Sequence, residues 1–169
     1  MHDLGTLASL PNSQGLGINA GGAIVGFGVD SSGNLYHAFL YDGTMHDLGI
    51  LPGRTSTSAH AINSFGQIVG NTFTPLASNW HATYYDSVRG MLDLNTVIPP
   101  SSGWELQQGD AINDYGQIMG TGLIGGQTHT FLLTPLPEPS TLALGLIGFM
   151  TLFGYRALQR RSRCVRCAS

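Results

Sequence analysis

Histidine is the residue type in this sequence that most directly suggests chemistry, because imidazole binds metals and transfers protons near neutral pH. Five of the six histidines fall at two positions of an internal repeat: His37, His81 and His129 at one, His2 and His46 at the other. A metal site needs ligands that converge on one point, whereas repeat-equivalent residues lie on different structural units. We therefore expect one hydrogen bond or packing contact per unit from these histidines, and we predict no metal site.

Carboxylate pairs, which serve in glycoside hydrolysis, are also scarce. Glu105 is the one glutamate of residues 1–134, and with Trp104 it precedes Asp110 and Asp114. This is the nearest approach to an acidic cluster confined to one repeat. Three other aspartates recur by repeat and are predicted to form turns: Asp3, Asp47 and Asp93.

The remaining reactive groups are two thiols near the C-terminus, Cys164 and Cys167. Their Cys-x-x-Cys spacing suits zinc or redox chemistry only beside a second pair or nearby histidines, and the sequence around them has neither. We expect reduced thiols. No glycine-rich phosphate loop and no Gly-x-Ser-x-Gly motif occurs. The sequence therefore predicts no catalytic residue and no cofactor.

The elements that position these residues come from an internal repeat. The segment AINSFGQIVG at residues 61–70 returns almost unchanged at residues 111–120, and a weaker copy stands at residues 17–26. Each copy is typical of a hairpin, with an apolar strand, an Asn-x-x-Gly turn and a second strand. The step between markers is 44 to 50 residues and leaves room for about four short strands per repeat.

Four short strands in a repeat of this length are typical of propeller blades. The run at residues 37–41 does not alternate between apolar and polar residues, as expected for a sheet covered on both faces. We predict an all-β fold with a partial β-propeller-like array of about three four-stranded repeats over residues 1–134. A β-sandwich of irregular repeats is the alternative.

The ends of the repeat region are out of phase. Residues 1–7 copy residues 45–51, so the sequence opens on the last strand of an incomplete repeat, while the third repeat stops after Leu133 without that strand. Three blades are fewer than propellers usually have, and an open arc leaves unpaired edges. We expect either a fragment of a longer repeat protein or self-association through open blade edges.

Charge separates the C-terminal segment from the rest. Residues 1–140 carry all ten acidic groups with Arg54 and Arg89, whereas residues 141–169 carry five arginines and no acid. A nucleic-acid binder needs its basic residues on the folded domain, so we predict no nucleic-acid partner.

The C-terminal segment divides into three parts. A proline-rich linker occupies residues 135–140, an uncharged apolar run predicts a transmembrane helix at residues 141–156, and residues 157–169 form an arginine-rich cytoplasmic tail. The run of 15 uncharged residues would span roughly 22 Å as a helix, so flanking side chains must extend to the membrane surface. Four arginines would stop and orient the segment: Arg156, Arg160, Arg161 and Arg163.

The order of Pro137, Glu138 and Pro139, an apolar span and terminal arginines resembles the PEP-CTERM sorting signal of Gram-negative bacteria. The resemblance implies that an exosortase-type membrane protease recognises the Pro-Glu-Pro motif and removes the tail. The extension after Arg163 departs from the usual pattern. The upstream repeats resemble the HAF repeat family, whose motif stands here at residues 37–39; this resemblance implies an extracellular location and no particular chemistry.

These features predict a non-enzymatic exported repeat protein. It would be a single-pass inner-membrane protein with its repeats outside the cytoplasm, and would then be released to the cell surface or extracellular matrix; a permanent anchor is the alternative. Its expected partners are the membrane, the processing protease and extracellular polysaccharide. Two other functions stay open, a polysaccharide-active propeller enzyme and a carbohydrate- or ice-binding surface module.

Overall fold

The chain folds into three antiparallel β-sheets, one for each sequence repeat. The computed structural model describes residues 1–74 and 77–136. Within it, Met1–Thr134 forms one compact unit. The all-β prediction is confirmed for this unit, and the sheet boundaries follow the repeat boundaries.

Each sheet is a meander in which strands consecutive in the sequence are hydrogen-bonded neighbours. Sheet 1 contains β1 (Asn12–Ile18), β2 (Ile24–Val29), β3 (Tyr36–Tyr41) and β4 (Met45–Asp47). Sheet 2 contains β5 (Ser56–Ile62), β6 (Ile68–Thr74), β7 (Ala77–Asp86) and β8 (Gly90–Asp93). Sheet 3 contains β9 (Trp104–Ile112), β10 (Ile118–Ile124) and β11 (Gln127–Leu133). Two short 3-10 helices, Leu94–Thr96 and Pro100–Ser102, connect β8 to β9.

The two ends of the chain differ from the repeats between them. Residues 1–7 form no strand, although they copy residues 45–51. The predicted Pro-Glu-Pro motif, transmembrane helix and arginine-rich tail lie outside the described residues. Among residues 1–74 and 77–136, no helix has the length and apolar character needed to cross a membrane.

The repeated Asn-x-x-Gly segment forms the predicted turn. In the second repeat the Gly66 backbone N–H donates to the Asn63 carbonyl (3.1 Å), and the Asn63 N–H donates to the Gln67 carbonyl (3.0 Å). Gly66 has a φ of 75°, which a residue with a Cβ rarely adopts. The Asn63 side-chain oxygen accepts from the N–H groups of Phe65 and Gln67, so the asparagine holds the turn from inside.

The glycine that closes each repeated segment is required by the neighbouring strand. Strands β1, β5 and β9 each carry a register shift opposite this glycine, as a β-bulge produces. A Cβ on Gly70 would lie 1.9 Å from the Ser58 carbonyl oxygen. In the other repeats, a Cβ on Gly26 would lie 1.9 Å from the Gln14 carbonyl oxygen, and a Cβ on Gly120 would lie 2.0 Å from that of Gln108. The repeat keeps glycine here because no side chain fits.

Sheet 2 packs between sheets 1 and 3. Strand β5 contacts β1, β2 and β3 of sheet 1, and β9 of sheet 3 contacts β5, β6 and β7. Two apolar clusters fill these contacts. The first contains Val25, Ala38, Leu48, Ala59, Ile62 and Ile68, and the second contains Val69, Ala82, Leu94, Leu106, Ile118 and Phe131. The adjacent β6 residues Ile68 and Val69 are therefore buried on opposite faces, as expected for a sheet covered on both sides.

The three turns are also linked to one another by hydrogen bonds of their asparagines. The Asn19 side-chain amide donates to the Asn63 carbonyl, and the Asn63 amide donates to the Asn113 carbonyl, each at 3.0 Å. We call this series of three residues the asparagine ladder. Asp114 strengthens its second step, because the Asp114 carboxylate accepts from the N–H (2.9 Å) and hydroxyl (3.0 Å) of Ser64. The ladder fixes the register of each sheet against the next.

Replacing Gly70 with alanine is expected to lower the free energy of unfolding by roughly 3 kcal/mol, because the new methyl group collides with backbone that is held in a bulge. Urea denaturation followed by tryptophan fluorescence measures the change. Gly15→Ala is the matched control, since its Cβ would meet only Cγ2 of Ile24 at 3.4 Å. Equal stabilities of the two variants would contradict the requirement for glycine.

Candidate functional site

The repeated histidines make structural hydrogen bonds. His37 Nδ1 lies 2.7 Å from Asp47 Oδ2, and His81 Nδ1 lies 2.5 Å from Asp93 Oδ2, in each case between the third and fourth strands of a sheet. The expectation of one hydrogen bond per unit is confirmed for these two residues. His129, in the three-stranded sheet, is exposed and lies edge-on to the Trp104 ring.

The recurrent aspartates have one backbone hydrogen bond in common. A carboxylate oxygen of each accepts a backbone N–H two residues ahead, from Gly5 at Asp3, from Gly49 at Asp47 and from Asn95 at Asp93. Their predicted role in turns is therefore confirmed.

The possible acidic cluster of the third repeat is not assembled. Glu105 is exposed near the start of β9, whereas Asp114 lies in the turn beyond its end and bonds to Ser64. Asp110 lies between them and accepts a hydrogen bond from Gln108. Because β9 is extended, these carboxylates cannot converge on one substrate bond.

The most distinctive concave surface is a pocket of about 540 Å³ between the three sheets. Four aromatic rings form one side of it, and we call them the aromatic wall: Phe27, Tyr36, Phe73 and Trp80. Consecutive ring centroids are 5.3, 5.5 and 4.4 Å apart, and the Trp80 ring stacks on Phe73 with 15° between the planes. Trp80 is 39% exposed, so one part of an otherwise packed aromatic row is open to solvent.

Polar side chains from sheets 2 and 3, together with Gly33 and Asn34 in the turn between β2 and β3, form the rest of the pocket lining. His60 is the residue skipped by the register shift of β5, which turns it out of the regular ladder. Asn71 on β6 donates to Gln108 Oε1 at 3.4 Å, and Gln108 donates to Asp110 at 2.5 Å. The bulge and this short series of hydrogen bonds place an imidazole and two amides on one surface.

Asn71 has an unsatisfied hydrogen-bonding group. The residue is 2% exposed, and within residues 1–74 and 77–136 its side-chain oxygen has no hydrogen-bond donor. An unpaired buried acceptor costs about 1–3 kcal/mol, and such groups are uncommon in folded proteins. This oxygen belongs to a residue of the pocket lining but is itself buried, so it marks a polar site behind the pocket surface.

The charge state of the pocket follows from burial. Desolvation lowers the pKa of His60 below its ordinary value of 6.5, and the nearby Asp110 carboxylate and a hydrogen bond to the Gly109 backbone oppose this shift only in part. His60 is thus neutral at pH 7. No lysine or arginine lines the described part of the pocket.

Sequence reasoning did not identify this pocket, although a signal was present. Several pocket residues lie at positions where the repeats differ in sequence. Repeat 2 has His60 where repeats 1 and 3 have Leu16 and Asp110, and it has Trp80 where they have Tyr36 and Thr128. The residues predicted for sorting lie outside the described residues, namely Pro137, Glu138, Pro139, Arg156, Arg160, Arg161 and Arg163.

Comparison with known proteins finds no matching family, no similar curated protein and no similar solved structure. Function is therefore inferred from the chemistry of the pocket and of the sequence.

Acidification is expected to destabilise the protein through His60. Below about pH 6.5 the unfolded chain binds a proton at this residue that the folded chain resists, so the free energy of unfolding falls; well above that pH both states are neutral and the effect vanishes. Urea denaturation near pH 8 and near pH 5 measures the loss, which His60→Gln should reduce. His2→Gln, at an exposed position, is the control. An equal loss in wild type and His60→Gln would contradict the assignment.

Proposed function

We propose that this protein is a non-catalytic, exported repeat module that binds neutral saccharides in the pocket between its sheets. The observation that carries the proposal is the combination of a partly open aromatic wall with an imidazole and amides on one concave surface. The C–H face of a sugar ring packs on aromatic rings, while its hydroxyl groups both donate and accept hydrogen bonds. A volume of about 540 Å³ lies within the usual range for ligand sites.

The polar groups favour an uncharged ligand. A phosphate or carboxylate would meet a neutral His60 and the nearby Asp110, with no arginine or lysine in the described lining to bind it. A hydroxyl group can instead donate to or accept from the neutral His60 imidazole and the Gln108 amide, which line the pocket. A polyhydroxylated neutral molecule therefore fits better than an anion.

The absence of catalysis in this proposal is supported by how the reactive side chains are used. His37 and His81 are hydrogen-bonded to aspartates of their own sheets, and Glu105 and Asp114 lie at opposite ends of β9. The described pocket has one imidazole and no carboxylate in its lining. Binding requires only the complementarity that these groups supply.

We further propose that the sheets are blades of a propeller. The propeller proposal is supported by the meander order within each sheet. It is also supported by the contacts that β5 and β9, the first strands of sheets 2 and 3, make with the preceding sheet. In such an arrangement the pocket lies where neighbouring blades meet.

Export and release remain a proposal from the sequence. The Pro137-Glu138-Pro139 motif, apolar run and arginines resemble a PEP-CTERM signal, so an exosortase-type protease is the proposed processing partner. The repeats would first be held outside the inner membrane and then reach the cell surface or extracellular matrix. There, polysaccharide would supply ligands for the pocket.

Trp80→Ala is expected to weaken binding of neutral oligosaccharides at least tenfold, because it removes the exposed stacking surface. Isothermal titration of the full chain in detergent, with a panel of neutral gluco- and galacto-oligosaccharides and a uronic-acid oligosaccharide, measures the affinity. Trp80→Phe should recover part of it. Tyr115→Ala is the control, since that ring is 86% exposed and does not line the pocket.

Two results would contradict the saccharide proposal. One is that no neutral oligosaccharide binds at millimolar concentration. The other is that Trp80→Ala and Tyr115→Ala bind equally well.

For the tail, the intact mass of protein recovered from the medium of a producing Gram-negative host is expected to correspond to a chain that ends near residues 137–139. Glu138→Ala should leave more of the protein in the membrane fraction, and Glu105→Ala, in the repeat domain, should not. A secreted product that still carries Arg160 and Arg161 would contradict processing at this motif.

A further inference from the structure

We propose that two copies of this chain join head to tail, with residues 1–3 of each copy serving as the fourth strand of sheet 3 in the other. The interface would be made by the exposed edge of β11 and by the outer faces of sheets 1 and 3. The partner is therefore a second copy of the same chain, and the proposal is independent of what the pocket binds.

The first observation is that sheet 3 has no fourth strand in the described part of the chain. Sheets 1 and 2 have four strands each, whereas β11 is an edge strand to which no strand pairs among residues 1–74 and 77–136. Most of β11 is exposed, including Leu132 at 63%. Such an edge offers unpaired backbone groups to another strand.

The second observation is that one histidine and one aspartate do not form the ion pair that their equivalents form. In sheets 1 and 2 the third-strand histidine is bonded to the fourth-strand aspartate, as in His37 and Asp47. His129 is the equivalent of these histidines in sheet 3, and Asp3 is the equivalent of Asp47 in residues 1–7. Neither His129 nor Asp3 is in an ion pair within the described part of the chain. Two copies would supply each residue with its missing partner.

The third observation is that the segment around Asp3 already has the conformation that follows a fourth strand. The Asp3 carboxylate accepts the Gly5 N–H at 3.0 Å, as Asp47 accepts the Gly49 N–H at 2.8 Å. The Ser13 hydroxyl donates to the Gly5 carbonyl at 2.8 Å, matching the bond from Thr57 to Gly49 at 3.0 Å. The segment is thus preorganised for pairing.

The register of the added strand follows from the existing sheets. Phe39 is opposite Asp47 in sheet 1, and Thr83 is opposite Asp93 in sheet 2. By repeat equivalence Phe131 would lie opposite Asp3 of the second copy. Three consecutive pairs then form, with Leu132 opposite His2 and Leu133 opposite Met1.

The outer faces of sheets 1 and 3 are complementary in the same register. Ile62 and Val25 are buried in one cluster between sheets 1 and 2. Their equivalents at the open ends are Ile18 and Met119, which are 66% and 43% exposed. Docking of sheet 1 on sheet 3 of the second copy would bury both, and the Asn113 amide would reach the Asn19 carbonyl, continuing the asparagine ladder.

Closure into a pair agrees with the number of described sheets. Two copies of these three sheets, joined twice, give six sheets, which lies within the four to eight blades of closed propellers. A head-to-tail contact that closes leaves no unused interface, whereas one that does not close produces filaments. The closed pair depends on the propeller arrangement proposed above, but not on saccharide binding.

Complementary charge variants test the proposal sharply. In this register residue 3 of one copy lies diagonally across from residue 129 of the other, as Asp47 does from His37. Asp3→Arg therefore places an arginine beside His129, and His129→Asp places two aspartates beside each other, so each variant alone should self-associate at least tenfold more weakly. Mixed in equal amounts they should recover the dimer, because one junction pairs the introduced arginine with the introduced aspartate and the other pairs the native residues. Light scattering and sedimentation of the full chain in detergent measure the mass.

Val88→Arg is the control, since it adds a positive charge at a position that is 91% exposed in the turn between β7 and β8. Circular dichroism of each variant checks that the sheets are retained. A wild-type chain that stays monomeric at high micromolar concentration would overturn the proposal. So would a dimer that Asp3→Arg leaves unchanged, or variants that fail to recover when mixed. Oligosaccharide affinity, measured separately, shows whether the pocket assignment fails independently.

Discussion

The hydrogen bonds between successive asparagine turns are the constraint on which the rest of the structure depends. The repeated asparagine makes two kinds of hydrogen bond. Its side-chain oxygen accepts from backbone N–H groups of its own turn, and its side-chain amide donates to the backbone carbonyl of the next turn. Because the bond joins equivalent points of neighbouring sheets, it sets the stagger between them and so decides which side chains meet. Apolar packing supplies most of the stabilisation but is not directional, whereas these hydrogen bonds are.

The pocket arises where the repeat is not exact. A fixed stagger brings equivalent positions of three sheets close together, so different residues at those positions create a surface that no single repeat contains. The bulge that forces glycine at position 70 also turns His60 outward, and Trp80 extends the aromatic wall started by Phe27 and Tyr36. Structural regularity and local chemistry therefore come from the same backbone feature.

Much of the fold can be predicted from the sequence because the repeats are nearly identical. The strand number, the Asn63 turn and the structural use of His37 and His81 all follow from recurrence. The asparagine ladder and the pocket could not be predicted, because they depend on the stagger between sheets that are 44 and 50 residues apart in sequence. The bulges could not be predicted either, because the sequence indicates the strands but not where the pairing within a sheet skips a residue. The possible grouping of Glu105 with Asp114 was wrong, because residues that are close in sequence lie far apart in space when an extended strand separates them.

Solvent exchange of the asparagine side-chain amides, followed by NMR of the full chain labelled with ¹⁵N-asparagine in detergent, tests the central claim most directly. The Asn63 amide is bonded to a neighbouring sheet and the residue is 4% exposed, so its protons should exchange far more slowly than those of exposed Asn12. Exchange of Asn63 as fast as that of Asn12 would contradict the account, because the turns would then not be linked.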